Sequence, residues 1–248
     1  MRRFASFGMD LRDAFDPSGV VSIVGAGGKK STLYALASEL ERAVVTATVR
    51  IPVFDNRVER LVVTGDPART VRTNDAWPLG VVPMHDDDRE RYLGYDLETV
   101  DVLASATAAP ILLKAAGART RWMHAPNDDE PQIPSTTDLV IPVASARVVG
   151  ESLDARRVHR PERVAAITGR TVGESVRAED LVTVLTHDRG GLKHVPSDAR
   201  VVPLINMVDD ETLVSTGREV ATELLSHPRI DRVVLGRMDR GRAVDVVE

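Results

Sequence analysis

Val20-Val21-Ser22-Ile23-Val24-Gly25-Ala26-Gly27-Gly28-Lys29-Lys30-Ser31-Thr32 is the stretch whose reading decides the fold of this 248-residue chain. A β-branched apolar run ends in three glycines within four residues, followed by two lysines, two hydroxyls and a helical pattern. These features predict a buried strand, a tight loop and a helix that presents its first N–H groups to an anion. Glycine reaches positive φ and lets the backbone approach a ligand closely. The helix start supplies unpaired donors and a partial positive charge. Two adjacent lysines at that place are disfavoured by the helix dipole unless an anion faces them. Gly25, Ala26, Gly27, Gly28, Lys29, Lys30, Ser31 and Thr32 are therefore the candidate residues for holding the phosphates of a nucleotide, GTP or ATP.

The loop departs from the Gly-x4-Gly-Lys-[Ser/Thr] pattern of phosphate-binding loops. With Gly28-Lys29 as the Gly-Lys pair, Ile23 stands at the first glycine and Lys30 at the metal-binding hydroxyl. With Lys30-Ser31 as the Lys-Ser pair, Val24 and Lys29 stand at the two glycines. Neither register is regular, and a glycine-rich turn needed only for close packing is the alternative reading.

Working outward, the composition narrows the classes. The length fits a single domain, residues 1–248, with 53–95 as an insertion or small subdomain. The chain has no cysteine, which excludes disulfides and thiolate metal sites. No apolar run approaches the ~20 residues of a membrane span, and the N-terminus lacks the apolar core of a signal peptide, so a cytoplasmic protein is expected. The net charge of −5 argues against a broad nucleic-acid face. Lysine occurs only four times, against 28 arginines, and two of the four lysines sit in the opening loop. Each lysine is thereby a candidate for a specific role.

Leu11 and Phe15, with Asp10 as a cap, predict a short helix before the first strand. Leu33, Leu36, Ala37 and Leu40 carry a helix to about residue 42, and residues 43–46 read as a second strand, completing a βαβ unit. Thr46 and Thr48 at that strand's end would face the same crevice as the loop, since ligands lie beyond the carboxyl ends of parallel strands. Together with Ser31 they are the candidate ligands of Mg2+. Residues 60–65 and 80–84 read as strands with a hairpin between them, 96–108 as a helix, and 110–114 and 138–143 as core strands. The strand ending in Lys114 is followed by Gly117 and Arg119, which again places donors at the sheet edge. Pro161 suits the first turn of a helix to about residue 167. A strand over 200–205 runs into Asn206-Met207-Val208-Asp209. That Asn-x-x-Asp spacing suits guanine recognition, the aspartate accepting from the ring N–H and the asparagine contacting the base edge. Capping of the next helix by Asp209-Asp210 is the alternative.

Six segments, in this order, resemble the YqeC family, the selenium-dependent hydroxylase accessory (selenium cofactor biosynthesis) proteins. They are residues 25–31, the threonine-rich strand end 46–51, 115–119, 130–134, His159-Arg160-Pro161 and 206–209. Lys30 stands at the family's threonine, and Lys114 and Ala116 stand at its acidic pair. The resemblance implies a three-layer α/β, P-loop NTPase-like domain with a mostly parallel central sheet, acting on the selenium-containing cofactor of molybdenum hydroxylases with a maturation partner. On this reading Lys29, Lys114 and Arg119 are the candidate catalytic residues, stabilising charge in an NTP hydrolase or phosphoryl-transfer enzyme. Asn206 and Asp209 read the base, and Arg50, Glu130, His159 and Arg160 bind the second substrate. A non-catalytic nucleotide switch or carrier, and an ATP-dependent ligase, are the competing readings. Neither nucleic acid nor membrane is an expected partner.

Overall fold

A computed structural model describes residues 9–248. Strands that read as near-continuous apolar runs need cover on both faces, and that cover sets the architecture. Nine strands of the ten-stranded main sheet run, edge to edge, β4 (Arg60–Val63), β5 (Leu79–Val82), β2 (Val44–Ala47), β8 (Ile111–Lys114), β1 (Val20–Gly25), β10 (Thr137–Ser145), β13 (Leu204–Asn206), β14 (Val233–Arg237) and β15 (Arg242–Val247). The tenth, β12 (Arg200–Val201), pairs with β10 just before β13 does. Every pairing is parallel except β14 with β15.

Helices cover both faces of this sheet. Val21 and Ile23 of β1 pack with α1 (Leu11–Phe15) and with Leu33 and Leu36 of α2 (Lys29–Glu39). Val20 and Val24 point the other way, toward Val100 and Leu103 of α4 (Leu97–Ala104) and Val71 of α3 (Pro67–Arg72). In β10 the same alternation sends Ile141 and Val143 to the α2 side and Val140 and Ala144 to the opposite face. That opposite face also carries α5 (Pro161–Thr168), α6 (Ala178–Thr186) and α7 (Glu211–Leu224). The result is three layers with a mostly parallel sheet in the middle. Among the described residues no helix is long and apolar enough to cross a membrane.

Two small sheets lie outside the main one. β3 (Ile51–Pro52), β7 (Arg91–Tyr92) and β6 (His85–Asp86) form an antiparallel trio, while β9 (Met123–His124) pairs in parallel with β11 (Val158–His159). Four sequence expectations need correction. β4 and β5 are parallel neighbours joined through α3, so they do not make a hairpin. The strand expected over 200–205 splits into β12 and β13 around Pro203, which has no N–H for a ladder. The helices expected to run to about residue 42 and to residue 108 stop at Glu39 and Ala104.

The order of the strands places the site. From β1 the chain builds β8, β2, β5 and β4 on one side, then crosses to β10, β13 and β14 on the other. β1 therefore lies beside the switch point of a parallel sheet, where the carboxyl ends of adjoining strands open a crevice.

Candidate functional site

The crevice is built around the turn from β1 into α2. Gly25 sits at φ +81°, where a Cβ would lie 2.2 Å from the Val143 carbonyl oxygen, and Gly28 at φ +137°, where it would lie 2.1 Å from Asn206 Nδ2. Only glycine fits at either position. The amide of Ala26 donates to the Val143 carbonyl (2.7 Å) and that of Gly27 to the Arg121 carbonyl (2.8 Å). The first helical bond runs from Thr32 N–H to the Gly28 carbonyl (2.9 Å), so the amides of Gly28, Lys29, Lys30 and Ser31 have no acceptor within the helix. The cradle of donors is thus residues 28–31; Ala26 and Gly27, expected within it, use their N–H groups to pin the loop to its neighbours. Thr32 is fully buried and its hydroxyl donates to Gly28 C=O (3.1 Å), a purely internal bond.

Beyond this turn opens a cleft of about 810 Å³, within the ordinary range for a small-molecule site. Lys29, Lys30, Arg50, Arg91, Lys114, Arg119, Arg121 and Arg160 line it, with Glu130 as the single acidic lining residue among the described residues. The net negative chain concentrates positive charge here. The Lys29 ammonium donates to the Gly25 carbonyl, and the Lys114 ammonium donates to the Arg50 carbonyl at 2.7 Å. Burial, reinforced by Lys114, brings the Lys29 pKa down to about 7. Burial, with Arg91 and Lys30 adding repulsion against the pull of Glu130, brings Lys114 to about 8. Burial and then Arg91 and Arg57 also lower Lys30. The cleft wall is conformationally unusual as well. Seven described non-glycine residues have positive φ, and four of them (Arg119, Thr120, Arg160 and Met207) line this cleft. Such backbone outliers cluster at sites where geometry is held for function.

Behind the far wall, the buried His124 ring stacks on His159, which lines the cleft, with centroids 5.2 Å apart. Arg160 Nη1 lies 3.0 Å from His124 Nε2 and 2.8 Å from Glu130 Oε2. Arginine has only donors, so Nε2 accepts and the neutral ring carries its proton on Nδ1. Burial, followed by Lys29, holds the His124 pKa well below the usual imidazole range. His159 is lowered to about 4, mainly by burial and then by Arg160. Glu130 also accepts from Gly117 N–H (3.1 Å), tying the 115–119 segment to the His-Arg-Pro element.

Several predicted residues are placed differently. Thr46 is fully buried and donates to the Val81 carbonyl (2.8 Å), away from the cleft. Thr48 lines the cleft, but its hydroxyl donates to the Gln132 carbonyl (2.6 Å). Asn206 is almost fully buried, with Nδ2 donating to Gly27 C=O (2.7 Å) and Oδ1 accepting from Met238 N–H (3.0 Å). Its amide braces the glycine loop, and neither end is open to a base. Asp209 pairs with Arg147 and, at 3.2 Å, with Arg237, while Asp210 caps α7 by accepting from Leu213 N–H (2.9 Å). Ala116 is fully buried beside His124 in the interior rather than at the cleft surface. Sequence reasoning missed His124, Arg91 and Arg121. His124 carried no motif, and Arg91 belongs to a segment without readable periodicity.

Mg2+, which the loop pattern implies, takes oxygen ligands in octahedral geometry, usually including a carboxylate. Thr46 is fully buried and does not line the cleft, Thr48 reaches it only with a neutral hydroxyl, and Glu130 is held by Arg160 and Gly117. Ser31 alone of the predicted metal ligands is exposed and uncommitted, among ammonium groups. No group of three or more His, Asp or Glu fit for a metal occurs among the described residues. With no free carboxylate among the described lining residues and cations on every side, this donor set does not fit Mg2+.

Comparison with known proteins places five of the six segments inside one family. The YqeC protein family matches residues 21–162, which span the glycine loop, Lys114, Glu130, His159 and Arg160. The chain is also 29% identical over 232 residues to a protein described as uncharacterized protein YqeC of Escherichia coli (strain K12), covering 91% of this chain and 90% of that one. A match over more than half of the chain, across the segment that contains every cation lining the basic cleft, makes it a member of the YqeC family.

Proposed function

We propose that this protein binds a nucleoside polyphosphate in the basic cleft, as a P-loop NTPase-like domain in a nucleotide-dependent accessory role. The observation that carries this reading is the convergence of four helix-start amides, residues 28–31, with the buried ammonium of Lys29 at the carboxyl edge of β1. Arg119 and Lys114 lie along the same wall and suit further phosphates or a second anionic substrate. With Asn206 and Asp209 engaged inside the protein, the base is not selected by them, and ATP and GTP are expected to bind alike. Titration calorimetry with both nucleotides tests the reading, using Lys29→Met to keep the side-chain volume. A loss of at least about tenfold in the variant is expected, near 1.4 kcal/mol. Failure of both nucleotides at millimolar concentration, or an unaffected variant, would reject it.

A binding role without turnover, as a switch or carrier, is favoured over hydrolysis by one feature. Glu130, the one carboxylate lining the cleft among the described residues, is held by Arg160 and Gly117 rather than free to orient water. Family membership supports extending the proposal to maturation of the selenium-containing cofactor of molybdenum hydroxylases, with a protein partner in that pathway. Deleting the gene and assaying such a hydroxylase for its selenium-dependent activity tests this, and unchanged activity would count against it.

A further inference from the structure

The residues that ought to hold a metal are replaced, at matching places, by cations. Lys30 follows Lys29 at the helix start, where a phosphate loop has its metal-binding hydroxyl. β8 is the immediate neighbour of β1, and its last residue is Lys114, at the carboxyl edge where phosphate-binding folds present a metal-holding carboxylate. Both lysines line the cleft with Lys29 and Arg91. Lys114 is about as deeply buried as Lys29, and each spends one of its three donors on a protein carbonyl, leaving two for a ligand. Burial first, and then repulsion from neighbouring cations, depresses all three lysines, and the one carboxylate lining the cleft among the described residues is already shared. A divalent ion entering this cluster would add to the repulsion.

We infer that the cleft takes its polyphosphate free of magnesium, with the ammonium groups of Lys30 and Lys114 standing as the counter-charges that a metal supplies elsewhere. This rests on the polyphosphate reading above. Chelation by Mg2+ removes two charges from the ligand and occupies the oxygens that the lysines would contact, so the metal competes with the protein rather than assisting it.

The test is calorimetric titration of the full chain with ATP, GTP and inorganic tripolyphosphate, once in excess EDTA and once in excess Mg2+. Binding in EDTA is expected to equal or exceed binding in Mg2+, and Lys30→Thr, a change at the rim that leaves the core untouched, should weaken it by about tenfold. A Lys30→Thr/Lys114→Asp variant should reverse the preference and bind better with the metal. Wild-type binding at least about tenfold weaker in EDTA overturns the inference and leaves the polyphosphate reading standing. Unaltered binding by Lys30→Thr in EDTA also overturns it, and absence of binding under both conditions overturns both readings.

Discussion

Asn206→Ala separates two roles that the Asn-x-x-Asp segment could have. In the structure this side chain is 2% exposed and spans two elements, donating to Gly27 C=O at 2.7 Å and accepting from Met238 N–H at 3.0 Å. Alanine leaves a carbonyl and an amide without partners inside the protein. Each such group costs about 1–3 kcal/mol, so the pair costs about 2–6 kcal/mol, a large part of a total stability of about 5–15 kcal/mol. With a urea slope of about 2–3 kcal/mol per M, the unfolding midpoint should fall by about 1 M or more. The same variant, assayed by titration with ATP and GTP, should lose affinity for both together, because the Gly27 carbonyl that fixes the loop is released. A wild-type midpoint combined with selective loss of GTP would refute the bracing role and return Asn206 to base recognition.

Anion binding should also depend on pH through the lysines. Lys29 and Lys114 release their protons near 7 and 8 in the unliganded cleft, and a polyphosphate beside them raises both values. Affinity is therefore expected to fall as pH rises through 7 to 9, since binding must then draw protons from solvent. Calorimetry at about pH 8.5 in buffers of different ionisation enthalpy should register proton uptake, and its absence would sink this account. Gly28→Ala should lower the melting temperature, because a Cβ at φ +137° would stand 2.1 Å from Asn206 Nδ2. A cost of about 2–3 kcal/mol is expected. Gly65, which has open space around a Cβ, serves as the matched control, and equal melting of the two alanine variants would contradict the packing described.

Much of the fold can be read from the chain because its strands are buried on both faces. The runs that became β1, β8, β10 and β14 are continuous apolar segments, and Asp10, Pro161 and the glycine loop mark the helix starts near them. Short elements defeat this kind of reading. α3 is six residues long, too short for a helical period, so the link between β4 and β5 passes for a turn. β15 mixes charge with alternating valines and is partly exposed, as an edge strand can be. At the site, sequence identifies which residues arrive at the carboxyl edge but not which way they face. Thr46 lies inside β2 and bonds sideways to β5, whereas Thr48 lies beyond the strand's end, where alternation no longer applies. Asn206 and Asp209 sit where a base reader would, yet long-range partners from Gly27, Met238, Arg147 and Arg237 claim them. No local pattern encodes those partners.

The four left-handed residues on the cleft wall also bear on how this protein can change. Each non-glycine residue held in that conformation costs about 1–2 kcal/mol, so Arg119, Thr120, Arg160 and Met207 together withhold a sum comparable to the whole margin of an ordinary domain. Glycine at any of them would relax the backbone and erase the side chain that the strain holds in place. Selection for heat resistance and selection for a rigid ligand frame therefore pull in opposite directions at the rim. Gains in robustness are best sought in the helices on the distant faces of the sheet.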